Sequence, residues 1–189
     1  MLAQIVTEVS DAVVAAVEGV DDILDALTDT VKDQVVGVVK DAGDVAGASV
    51  DTFASIASGA IKGAGRVSDT GVDVVAGTMK GIIDGASQVG GDMGNAVKGA
   101  VHGIVQGTAE TGGDVGGAAV DAVTSAIKAA GDMGADTSEA AKAAVSGALD
   151  AATAVGGSAA QTVRDALLSA AALPRDVIES VIKGSDDKH

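Results

Sequence analysis

The sequence predicts an all-α protein of long helices with an 11/22-residue repeat, packed into a homo-oligomeric bundle or tube. Three observations predict it. The first is a twenty-two-residue ruler that runs from Asp11 without a gap, with lines beginning at 11, 33, 55, 77, 99, 121, 143 and 165. A repeat of this kind has to be found before single elements are read. The second is the spacing of the apolar columns. Six of them in twenty-two residues recur every 3.67 positions, the undecad form of an α-helix, and strand alternation does not fit. The third is a column of small residues on the opposite side of the helical wheel.

The columns name the candidate faces. The third column reads Val13, Val35, Ala57, Met79, Val101, Val123, Val145 and Leu167. The seventh reads Val17, Val39, Ile61, Ile83, Val105, Ile127, Leu149 and Ala171. Together they make the apolar helix face. The fifth reads Ala15, Gly37, Gly59, Gly81, Gly103, Ser125, Gly147 and Ser169, and is the candidate small-residue packing face. Columns eight and nineteen carry charge on one flank: Glu18, Lys40, Asp51, Lys62, Asp73, Asp84, Lys128 and Glu139. The predicted element therefore has an apolar, a small and a charged surface.

In chain order, residues 1–50 form an acidic helical segment suited to docking or oligomerisation, with ten acids, two bases and little Gly. Residues 51–172 form the Gly/Ala/Val-rich repeat region, or stalk. Seventeen of the 27 glycines lie between 59 and 117. Glycine in a helix is about 0.8–1 kcal/mol worse than alanine, so something must offset it. A small-xxx-small face does so by letting two backbones approach closely. The Gly-Gly pairs at 90–91, 112–113, 116–117 and 156–157 also read as turns between shorter helices, and the sequence leaves both readings open. Helix is predicted over about 4–172. Residues 173–189 hold a break at Pro174, a short amphipathic segment DVIESVIK and a polar tail.

Composition excludes several classes. The chain has 189 residues, a net charge of −15 and a pI near 4.2, which speaks against nucleic acid. It has no Cys, so thiolate chemistry and disulfides are out. The start, MLAQIVTEVSDAVV, lacks a basic n-region, and no charge-free apolar run reaches spanning length, so neither a signal peptide nor a spanning helix is predicted. Phe53 is the one aromatic residue. A core of Ala and Val buries little area per residue, which argues for a partner surface, either copies of the chain or lipid.

No constellation for catalysis emerges, so no enzyme activity, catalytic residue, metal site or cofactor site is assigned to this chain. His102 falls on the shoulder of the apolar stripe and reads as an interface flank. His189 is terminal. GGDVGG at 112–117 lacks the Gly-Lys-Ser/Thr of a phosphate loop. Asp21/Asp22 and Asp186/Asp187 lack calcium-loop spacing, and Met79, Met93 and Met133, in apolar columns, read as gap fillers.

Two resemblances follow from these residues. VTEVSDAVVAAVEGV and AVKGAVHGIVQGTAE resemble the eleven-residue helices of synuclein- and perilipin-type proteins, which coat lipid surfaces; this chain departs from them in having 12 bases against 27 acids. The Gly/Ala/Val helix over roughly 11–172, without an active site, is similar to the non-catalytic subunit of the high-affinity nickel–iron hydrogenase that consumes atmospheric hydrogen. That resemblance implies a membrane-associated scaffold or stalk that carries hydrogenase catalytic subunits and gives menaquinone access through its assembled interior. It implies a cytoplasmic chain in peripheral contact with a membrane.

The resulting expectation is a non-catalytic, self-assembling scaffold, a homo-oligomer such as a tetramer, with an apolar-lined bundle or tube. The alternative is an amphipathic repeat protein coating lipid. A stress protein that orders on drying is a third class, disfavoured by the mean hydropathy of +0.37. On the scaffold reading, Gly81→Leu and Gly103→Leu break assembly.

Overall fold

A computed structural model describes residues 2–17, 23–41, 49–65 and 71–186. Nine helices lie among them: α1 (Leu2–Val17), α2 (Ile23–Asp41), α3 (Val50–Ala64), α4 (Gly71–Gln88), α5 (Met93–Glu110), α6 (Val115–Asp132), α7 (Thr137–Val155), α8 (Ala159–Ser169) and α9 (Arg175–Asp186). No strand occurs among the described residues. The all-α class and the repeat expected from the sequence are both present.

The repeat is not one continuous helix. Helix over 4–172 is broken well before Pro174, at turns that recur with the ruler. Gly90, Gly112, Gly134 and Gly156 all have positive φ, between 69° and 79°, and each stands twenty-two residues after the last. Each of the first three ends its helix in a Schellman arrangement. Gly91 N donates to Ala86 O at 2.8 Å, Gly113 N to Thr108 O at 2.9 Å, and Ala135 N to Ala130 O at 2.8 Å. The chain then restarts on an aspartate. Asp92 accepts from Asn95 N, Asp114 from Gly116 N and Gly117 N, and Asp136 from Ser138 N and Glu139 N. So the doublets 90–91, 112–113 and 156–157 are turns, whereas Gly116 and Gly117 supply N–H groups inside the first turn of α6. Twenty-two is thus an eighteen-residue helix plus a four-residue turn, as in α5 and α6.

The helices zigzag between two layers. Odd helices α1, α3, α5, α7 and α9 form one layer, and even helices α2, α4, α6 and α8 the other. In the α1/α3, α2/α4, α3/α5 and α5/α7 pairs the contact between helices two apart in the chain exceeds that between neighbours, whereas α6 meets its neighbour α7 as extensively as it meets α4. The small residues of columns one, five and nine explain why. A Cβ on Gly59 would lie 2.7 Å from Val6 O; on Gly63, 2.6 Å from Ser10 O; on Gly81, 2.6 Å from Thr28 O; on Gly99, 2.5 Å from Val50 O. Gly103 sits against Ala54 O and Gly147 against Lys98 O more closely still. Backbone rests on backbone within each layer. Thr28 Oγ1 donates to Gly77 O at 3.4 Å across the α2/α4 seam.

Where these columns lose glycine, the seam loosens. Helix α6 carries Asp121, Ser125 and Ala129 where α4 carries Gly77, Gly81 and Gly85, and α4/α6 contact is sparser than α2/α4 contact.

The core lies between the layers. Val13, Val35, Met79, Ile83, Val101, Val105 and Val123 are fully buried there, with Phe53, Ile56, Ile82 and Ile104 beside them. The burial that the Ala/Val composition demands of a partner is supplied by other helices of the same chain. At the C-terminal end α9 turns Ile178 and Ile182 inward onto α7 and α8.

Candidate functional site

The predicted apolar face falls in the interlayer core. Val39 and Val145 are buried, as are Ile61 and Leu149, while Ile127 is half-buried. Val17 lies in α1, but its side chain is outside the described residues. Of the small face, Gly59, Gly81, Gly103 and Gly147 are buried in the seams. Ser125 is half-buried and lines a surface groove. Gly37 is different: nothing lies within 4 Å of where its Cβ would be. His189 and the pair Asp21/Asp22 lie outside the described residues.

What remains for recognition is the outer face of each layer, and each carries a groove. On the odd layer a groove of about 480 Å³ crosses α1, α3 and α5. On the even layer one of about 320 Å³ crosses α2, α4 and α6. The two are copies. Ala54, Ser55, Ser58 and Lys62 of the first correspond to Ala76, Gly77, Lys80 and Asp84 of the second, and Gln106 and Glu110 correspond to Lys128 and Asp132. Every pair is one repeat apart, so the same columns build both.

Their chemistry differs. In the odd groove Lys62 pairs with Glu110 across the α3/α5 seam. Next to it Lys98 pairs with Asp150 across α5/α7 at 2.7 Å. Ion pairs therefore bridge the odd-layer helices. In the even groove the pair is within one helix, Lys80 Nζ to Asp84 Oδ2 at 2.7 Å. That hydrogen bond pushes the Lys80 pKa up, and Asp25 and Asp29 add to it. Lys128, Asp132 and Met133 complete the wall, with Met133 39% exposed. Exposed pairs of this kind are worth little in stability, roughly 0–1 kcal/mol each, and serve better as a recognition pattern.

His102 lies in the odd groove. Burial pushes its pKa below the ordinary 6.5; Asp150 and Asp51 oppose the shift, and Lys98 adds to it. A depressed folded pKa means that the unfolded chain takes up the proton first. The stability that neutral His102 contributes is present above pH 6.5 and is lost as pH falls from there through the folded value. His102→Gln is expected to flatten the fall of Tm between neutral pH and pH ~5. An unchanged slope in thermal melts followed by circular dichroism refutes the assignment.

Among the described residues no three His, Cys, Asp or Glu side chains are grouped to hold a metal ion. Among them, too, no helix is long and apolar enough to cross a membrane. Sequence reading located the charged eighth column but not its meeting with the twelfth. Glu110 and Asp132 reach the grooves only because helices two apart lie side by side.

Two layers, repeating turns and glycine seams define an α-helical repeat protein, a short solenoid. The fold is similar to that in the crystal structure of the de novo designed helical repeat protein DHR7, with a TM-score of 0.54 and 19% sequence identity over 97% of this chain and 95% of that one. No family model and no curated protein matches the sequence.

Proposed function

We propose that the chain is a non-catalytic scaffold, a compact helical-repeat platform that holds protein partners on its outer faces. One observation carries this reading. The same columns build a charged groove on each of two opposite faces, while the Val/Ile face is closed inside the chain. Repeat scaffolds of this type bind partners across several stacked units rather than in one deep pocket.

In its fuller form the proposal is that copies of the chain assemble, as a tetramer or a similar homo-oligomer. The assembly tethers hydrogenase catalytic subunits at a membrane surface and leaves menaquinone an apolar passage. Such a passage has to form between copies, since Val13, Val35, Ile83, Val101 and Val105 already pack inside each one.

The test is the native mass by light scattering, followed by identification of what co-purifies. A mass several times 18.0 kDa, with a bound enzyme released by Lys62→Glu or Lys80→Glu, is the expected result. A monomer with no bound protein, which gains mass only on lipid vesicles, refutes the scaffold and favours the lipid coat.

A further inference from the structure

The seam between α4 and α6 starts from the same columns as the seam between α3 and α5 and ends differently. In the odd layer Gly103 and Gly107 are buried against α3, and neither lines the groove beside them. One repeat later Ser125 and Ala129 take their places on α6, half-buried, and both line the even groove. The larger side chains leave a cleft where the odd layer is shut. Its floor is small and nearly apolar: Ala76 and Gly77 of α4, Ser125 and Ala129 of α6, and Thr28 of α2. Thr28 already donates its hydroxyl to Gly77 O. Exposed Met133 stands at the rim, where the odd layer has Thr111.

The charges at the mouth differ in the same way. Lys62 and Glu110 close the odd seam as an ion pair. The same two positions one repeat later are Asp84 and Asp132, both carboxylates. Lys80 takes Asp84 Oδ2 from within α4 at 2.7 Å, and no ion pair among the described residues includes Asp132. Around the groove stand three acids, Asp25, Asp84 and Asp132, and two bases, Lys80 and Lys128.

We propose that the even groove docks a basic amphipathic helix of a partner protein. The partner's small residues lie on Ala76, Gly77 and Ala129, and its lysine or arginine meets Asp84 and Asp132, supplying the cation that Lys62 supplies in the odd layer. The proposal rests on the scaffold reading and gives the chemistry of one partner. Charge complementarity sets the sign, in a groove with an excess of acid on a chain of net charge −15. The floor sets the conformation. An extended segment would leave its N–H and C=O groups unpaired against Ala and Gly, whereas a helix satisfies its own. Small residues also admit a helix at the short spacing used in the glycine seams. The wall from Ala76 to Asp84 runs about 12 Å, roughly two helical turns.

The probe is a displayed library of helical peptides of about sixteen residues, randomised along one face and selected on the full chain. Selected binders are expected to carry small residues at i, i+4 spacing and a Lys or Arg beyond them. Fluorescence anisotropy of one such peptide is expected to show binding weakened roughly tenfold or more by Asp84→Asn with Asp132→Asn. Changing the peptide's cation to Gln is expected to cost as much, and both changes together no more than either alone. Ala129→Leu, which fills the floor and leaves every charge in place, is expected to abolish binding. Circular dichroism reports the fold of each variant, and the Asn pair, on side chains at the surface, decides the matter should Ala129→Leu unfold.

Binders without a cation, or binders indifferent to the Asn pair, overturn the proposal, and so does a library that yields none. Equal weakening by Lys62→Gln with Glu110→Gln overturns it as well, because it marks diffuse attraction to an acidic surface. Spermidine that displaces the peptide and binds as tightly by itself puts a small polyamine in the groove instead of a helix. The scaffold reading is judged separately, by native mass and co-purifying protein, and it survives if partners sit on the odd face alone.

Discussion

Gly103→Leu is expected to lower Tm by roughly 6–12 °C, the effect of about 3 kcal/mol on a chain of this size. Gly103 rests on Ala54 O and Ala57 Cβ of α3, and neither a backbone carbonyl nor a Cβ can swing aside. The α3/α5 seam must part to admit the new side chain. The damage falls on the folding of a single molecule, because the atoms that clash belong to the same chain. This changes the reason for the expected loss at Gly81 and Gly103, from broken assembly to broken seams. Gly37→Ala is the matched control. It sits in the same column with nothing near its Cβ, so only helix propensity acts, and the change is expected to raise stability by about 0.8–1 kcal/mol. Thermal melts of the two variants check both signs. Equal, small shifts in the same direction would mean that the seams are not packed through this column.

Deleting a whole helix pair is expected to leave a folded protein. Removing 93–136 takes out α5 and α6 with their turns and joins Asp92 directly to α7. Asp92 then caps α7 as Asp136 did, Gly147 meets Ala57 as Gly103 did, and every later helix keeps its layer. Removing 93–125 instead cuts α6 in the middle and fuses a turn to half a helix. Its apolar column then faces solvent, and cooperative melting is expected to be lost. Circular dichroism with a melt distinguishes the two deletions. Similar loss of cooperativity in both would refute the modular repeat, whose stability should be close to a sum of units and their interfaces.

Much of this architecture was legible in the residues, and the rest had a definite reason for being hidden. The Val/Ile columns and the small column identified two faces of a helix, because both follow from local periodicity. Column thirteen onward was harder. Gly90 and Gly112 fall where an undecad helix tolerates a small residue and where a Schellman turn requires glycine, so one residue satisfied both patterns. Gly134 has no second glycine beside it, and a search for doublets passes over it. The aspartates two residues on, Asp92, Asp114 and Asp136, were the stronger signal of a restart, since each caps the next helix. The grooves were less legible than the fold. Lys62 and Glu110 are far apart in the chain, and no local pattern tells which helices lie side by side.

The two layers are unequally braced. On the odd side, α3, α5 and α7 are locked by glycine seams and by ion pairs that cross them. On the even side, α6 meets α4 through Asp121, Ser125 and Ala129 in place of glycine, with sparser contact, and the Lys80–Asp84 pair lies within one helix. The even side is therefore expected to yield first under load, changing the width of the slot lined by Lys80, Lys128 and Met133 while the opposite slot keeps its shape.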